Sequence, residues 1–153
     1  MTLKTTVLIL ALSFVAEAMC FASPQMGTWK LNEAKSKLEP SMGKNNTVTY
    51  ESAGDKIKVT VDGTDAKGKA THNEWMGKFD GKDYPVTGDS SSDMRSYKQV
   101  NDHTMDIMVK KDGKVVATGQ IVVAADGKSR TIKISGTSAK GKKFHSMGFY
   151  DRE

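Results

Sequence analysis

The chain is poor in the residues that staple, kink or build catalytic centres. Its 153 residues include one cysteine, Cys20, three prolines and three histidines. A single cysteine cannot close an internal disulfide, so stability has to come from a core and a sheet. The histidines His72, His103 and His145 lie far apart, with none at the spacing of a metal-binding helix. No Gly-x-Ser-x-Gly elbow and no phosphate-binding loop occurs. The expectation is a protein that is not an enzyme and carries no metal and no cofactor. Leucine is almost missing beyond residue 22, where only Leu31 and Leu38 occur.

Long apolar runs are missing too, apart from Val7–Ala16. Ten residues are too few to cross a hydrocarbon core of about 30 Å. Lys4 precedes the run, and Ala16-Glu17-Ala18 and Ala22 follow it as small-residue cleavage sites. This is the layout of a secretory signal peptide. The expected division is a signal peptide over 1–22 and one domain over 23–153, exported to the periplasm or outside the cell, with no stable membrane anchor. Cleavage after Ala22 removes Cys20, whereas cleavage after Ala18 keeps it. A lipid anchor on Cys20 would place the bulky Met19 where a small residue is wanted.

The formal net charge is +5. The lysines are spread beside turn glycines, as at Lys67, Lys69, Lys114 and Lys128. No compact basic stripe with interleaved aromatics appears, so no nucleic-acid partner is expected. The oligomeric state is left open.

What the chain does have is Val, Ile, Met and aromatics in a period of two, which suits a pleated, half-buried surface. Ile57, Val59 and Val61 alternate with Lys58, Thr60 and Asp62. Met105, Ile107 and Val109 alternate likewise, and Val115, Ala117, Gly119, Ile121 and Val123 share one parity. Turn signals such as Ala53-Gly54-Asp55, Asp80-Gly81-Lys82, Asp112-Gly113-Lys114 and Asp126-Gly127-Lys128 separate the runs. The pattern predicts an all-β, antiparallel up-and-down meander of eight or nine strands. Closing it into a barrel removes the edges and the bare face; a β-sandwich is the alternative. One short helix is expected in Glu33–Glu39, ended by Pro40. The segment Tyr84–Asp93 reads as a mobile loop and a candidate lid.

The chain also repeats itself. Thr64-Asp65-Ala66-Lys67-Gly68-Lys69-Ala70-Thr71-His72 and Thr137-Ser138-Ala139-Lys140-Gly141-Lys142-Lys143-Phe144-His145 share Thr-x-Ala-Lys-Gly-Lys-x-x-His. A duplicated hairpin would put His72 and His145 at equivalent strand positions. Converging histidines would make a metal or pH-sensitive site; outward ones would make none.

Gly27-Thr28-Trp29-Lys30-Leu31-Asn32 resembles the Gly-x-Trp first strand of the calycin barrels, the lipocalins, fatty-acid-binding proteins and avidins. The ending Phe149-Tyr150-Asp151-Arg152-Glu153 resembles the closing strand of fatty-acid-binding proteins. With Asp80–Gly88, the domain is also similar to a group of short, exported bacterial proteins without assigned activity. The likeness to lipocalins implies structural roles for Gly27, Trp29 and Arg152, with Trp29 closing the barrel base under Arg152. It further implies binding of a small apolar or amphipathic molecule. The last strand lacks the Arg-x-Tyr pair of fatty-acid-binding proteins, but Arg95-Ser96-Tyr97 has that spacing on a middle strand. The expected ligand-binding residues are therefore Arg95 and Tyr97 for an acidic head, with Trp75, Met105 and Met147 as lining. The competing expectation is a solid barrel that serves as a protein-interaction or inhibitor module.

Overall fold

The computed structural model describes residues 23–153. The signal peptide expected over 1–22, with Cys20, lies outside the described residues. Ten antiparallel strands run in sequence order: β1 Gly27–Leu31, β2 Lys44–Ala53, β3 Lys56–Thr64, β4 Ala70–Gly77, β5 Tyr84–Thr87, β6 Met94–Gln99, β7 Thr104–Lys111, β8 Lys114–Val123, β9 Ser129–Thr137 and β10 Lys143–Arg152. Each pairs with its neighbours, and β1 pairs with β10, so the meander closes into a barrel. No edge is left to recruit another strand.

One strand more is present than the sequence pattern counted. The addition is β5, inside the segment read as a loop. It has four residues, one of them Pro85, and two register pairs on each side: Glu74↔Thr87 and Trp75↔Val86 toward β4, Tyr84↔Arg95 and Pro85↔Met94 toward β6. So short a segment shows no alternation. The expected helix after β1 is also replaced. Glu33–Lys35 and Pro40–Met42 are single 3-10 turns. Between them Lys37 exchanges two backbone hydrogen bonds with Met147, both 2.8 Å. That pairing pulls the chain straight and leaves no room for an α-helix.

The inward parity carries the core: Trp29, Val48, Tyr50, Val59, Trp75, Tyr97, Met105 and Ile121 are all buried. Val115 departs from it and is 52% exposed. The β7–β8 register shifts between Val109 and Lys110, passing from Ala117 to Val115, so the extra residue Val116 turns Val115 outward.

The two repeat segments form equivalent hairpins. Thr64 pairs with Ala70 and Thr137 with Lys143; Asp62 pairs with His72 and Ser135 with His145. Both turns carry the same bonds, Asp65 N to Lys69 O at 2.8 Å and Ser138 N to Lys142 O at 2.8 Å. The likeness extends to the next strand. A Cβ on Gly63 would lie 2.0 Å from the Lys44 carbonyl, and one on Gly136 would lie 2.0 Å from the Val116 carbonyl. Both glycines let the barrel wall pinch sharply at the same place in the repeat. His72 and His145 are exposed and stand on β4 and β10, with β1, β2 and β3 between them, so they do not converge.

Candidate functional site

A meander of ten strands places its turns alternately at two ends. The base holds Ser23–Met26, the end of β10 and the turns after β2, β4, β6 and β8. The mouth holds residues 32–43, the repeat turns, Gly88–Asp93 and Asp112-Gly113.

The base is shut. Trp29 is fully buried, and its Nε1 donates to the Gln25 carbonyl at 2.9 Å. The Arg152 guanidinium lies 4.2 Å from the Trp29 ring centroid. It donates to the carbonyls of Pro24 and Met26 at 2.5 Å each, and to that of Gly127 at 2.6 Å. Two separate segments, Ser23–Met26 and the turn after β8, are thus tied to one side chain of β10. Gly27 has φ +106°, and a Cβ there would meet Arg152 Nη1 at 2.9 Å. Glycine suits this position both for its dihedral and for the space it leaves the guanidinium.

The middle is aromatic. Trp75 packs edge-on against Tyr97 with centroids 4.7 Å apart, and Tyr50 and Phe79 meet Tyr97 at 6.2 and 5.9 Å. Trp75 Nε1 donates to the Arg95 carbonyl at 2.8 Å, which satisfies its only polar atom. Met105 is fully buried on the inward parity of β7.

Arg95 lies at the mouth end of β6, 7% exposed. Its Nη1 donates to the Tyr97 hydroxyl at 3.5 Å and its Nη2 to Asn73 Oδ1 at 3.3 Å. Asp89, in the segment after β5, faces Nη2 at 3.8 Å. Asp89 also accepts from the Ser91 and Ser92 hydroxyls at 2.6 and 2.5 Å, which ties that segment into a turn over the mouth. Arg95 Nε is buried without a partner.

The sequence reading missed Arg130. It opens β9 on the inward parity and is 3% exposed. Its guanidinium carbon lies 4.9 Å from the ring centroids of Trp29 and Tyr50 and 5.2 Å from that of Tyr150. Its Nε and Nη1 are buried and have no hydrogen-bond partner. Among the described residues no carboxylate forms an ion pair with it. Taking a guanidinium out of water costs several kcal/mol. Each ring returns roughly 0.5–2 kcal/mol as a cation–π contact. Rings offset the charge but accept none of its in-plane hydrogens. Only the composition at 128–130, Lys-Ser-Arg beside a turn, marked this residue in the sequence, and it looks there like one more turn cation.

The expected site residues thus divide. Arg95, Tyr97, Trp75 and Met105 share the interior. Met147 does not join them: it sits on the outward parity of β10, beside His145 and Lys133, in a groove of about 710 Å³ across the outer wall of β7–β10. Phe144, Gly148 and Tyr150 are buried on the opposite parity, so the side chain of Met147 points outward. A second outer concavity of about 260 Å³ lies beside Gly81, Ser96 and Lys98. His103 is half-buried, and its Nδ1 is enclosed without a partner.

Burial holds the interior phenols in their protonated form. It pushes the Tyr150 hydroxyl up to about 12 despite the nearby Arg130 charge. It raises Tyr97 further still, with Tyr50 adding to the effect and Arg95 opposing it. The interior therefore holds hydrogen-bond donors of fixed charge, two guanidiniums and neutral phenols, faced by one carboxylate acceptor, Asp89. Such a set can hold an anion. No group of His, Cys, Asp and Glu able to hold a metal ion occurs among the described residues, and none of their helices is long and apolar enough to cross a membrane.

A scan against models of known protein families finds no match, and a search of curated proteins finds no relative. The functional reading rests on the barrel itself.

Proposed function

We propose that this chain is an exported, non-catalytic, lipocalin-like binding protein whose barrel receives a small amphipathic molecule with an acidic group. One observation carries the reading: two guanidiniums are buried inside the barrel, and among the described residues a single carboxylate, Asp89, faces either of them. An unbalanced buried charge is costly, and an anionic ligand would balance it. Trp75, Tyr97 and Met105 give the interior an apolar surface suited to the body of that ligand, and methionine adapts to varied shapes. The segment with Asp89 is the natural entrance.

Titration of the purified domain with dodecanoate tests the reading, followed by fluorescence of the two tryptophans, both of which lie in the core. Saturable change is expected; none at all would overturn it. Native mass spectrometry of protein from its own source would reveal a co-purified ligand. Export predicts a mature chain that begins at or near Met19 or Ser23; an exported species still beginning at Met1 would overturn that part.

The outer groove over β7–β10 favours a second reading, a protein-binding module around a solid barrel. In that case the tryptophan signal stays flat in dodecanoate.

A further inference from the structure

We infer that Arg130, and not Arg95, anchors the acidic group of the ligand, and that the group is a planar oxyanion such as a carboxylate. The inference rests on the reading of the barrel as a receptor for an acidic amphipathic molecule, and it fixes where in the barrel the charge is held.

The two interior guanidiniums differ in what they already hold. Arg95 has Tyr97, Asn73 and Asp89 around it, at 3.5, 3.3 and 3.8 Å. An anion there would compete with Asp89 and be repelled by it. Arg130 has no such competitor. Its Nε and Nη1 lie at different edges of the guanidinium plane, and both are buried without an acceptor. An oxyanion approaching either edge therefore finds a free hydrogen. Trp29, Tyr50 and Tyr150 stand around the guanidinium carbon at 4.9–5.2 Å. Rings at that distance exclude water and strengthen any charge-assisted bond made within. Arginine and carboxylate match in plane and spacing, so a carboxylate fits better than a compact spherical anion.

The placement sets the ligand's direction. Arg130 opens β9 and so lies toward the base, near Trp29; Arg95 lies toward the mouth. The acidic group enters first and passes Arg95 on its way to the base, where Arg130 holds it.

Calorimetric titration with dodecanoate and dodecanol, which share a chain and differ in charge, tests this. Wild-type protein should bind dodecanoate more tightly. Arg130→Gln should weaken dodecanoate roughly ten- to a hundredfold, the scale of a hydrogen bond to a charged group, and leave dodecanol nearly unchanged. Arg95→Gln should change dodecanoate less than Arg130→Gln does. Because Arg130→Gln alters the core, the wild-type protein gives an independent readout. The Arg130 Nε–H resonance should move on addition of dodecanoate and stay in place with dodecanol. Equal affinity for the two probes would overturn both the receptor reading and the assignment. A larger loss in Arg95→Gln than in Arg130→Gln would overturn the assignment and leave the receptor reading standing. A still Arg130 resonance under saturating dodecanoate would overturn it too. No binding of either probe would overturn the receptor reading, and the assignment with it.

Discussion

Trp29 and Arg130 touch inside the barrel, with the guanidinium carbon 4.9 Å from the indole centroid, although they lie a hundred residues apart in the chain. Arg152 approaches the same ring at 4.2 Å. Strands β9 and β10 thus each bring a cation to one indole. The Arg152 guanidinium titrates below its ordinary value, because it is partly buried and because the Arg130 charge repels its own. One ring serves both the closure of the base and the wall of the interior charge site.

Arg152→Ala removes three bonds to backbone carbonyls, two in Ser23–Met26 and one in the turn after β8. A destabilisation of about 1.5–3 kcal/mol is expected in urea unfolding, the scale of hydrogen bonds to a charged group. An unchanged midpoint would show that the base closes without it.

The repeat makes a paired prediction. Gly63→Ala and Gly136→Ala each drive a methyl group against a main-chain carbonyl. Each should cost at least about 1–3 kcal/mol, the usual penalty of overpacking. The two losses should be similar. A large cost at one site and none at the other, in thermal melts, would deny the equivalence of the hairpins.

His72 carries a pH signature. Its Nδ1 lies 2.6 Å from Asp62 Oδ1, and that hydrogen bond raises the imidazole above its ordinary value. A raised folded value means that the stabilisation is fully present below the unfolded value of about 6.5 and is lost as pH rises through the folded one. His72→Gln should therefore narrow its stability deficit between mildly acid and alkaline pH. A deficit independent of pH would rule out the pair as its source.

Asp89 should show the opposite sign. Burial works to raise its carboxyl, but the Ser91 and Ser92 hydroxyls and the Arg95 charge outweigh it and hold the group below its ordinary value. Its contribution is present above about 3.9 and lost as pH falls through the lower folded value. Asp89→Asn should thus cost stability at neutral pH and approach wild type in strong acid. Equal melts at neutral pH would contradict this.

The barrel was legible in the sequence because alternation and turn chemistry agree along most of the chain. Ile57–Val61 and Met105–Val109 point inward as their period requires. The repeat motif marked two hairpins that share register and turn bonds. Three features escaped. β5 is too short to alternate. Val115 lies beyond a register shift that no residue type announces. Arg130 follows a Gly-Lys turn, and nothing local distinguishes a cation that enters the core from the many that face water. Its site is assembled from β1, β2, β9 and β10, so it exists only once the ends of the meander have met.

The brevity of β5 bears on how the molecule breathes. Two register pairs on each side hold it, against nine between β9 and β10. Amide exchange in β5 should run through small local openings that leave the long ladders intact. The wall beside Arg95 can then part and reseal while the rest of the barrel stays folded, so solvent and solutes reach the interior on a timescale unrelated to global unfolding.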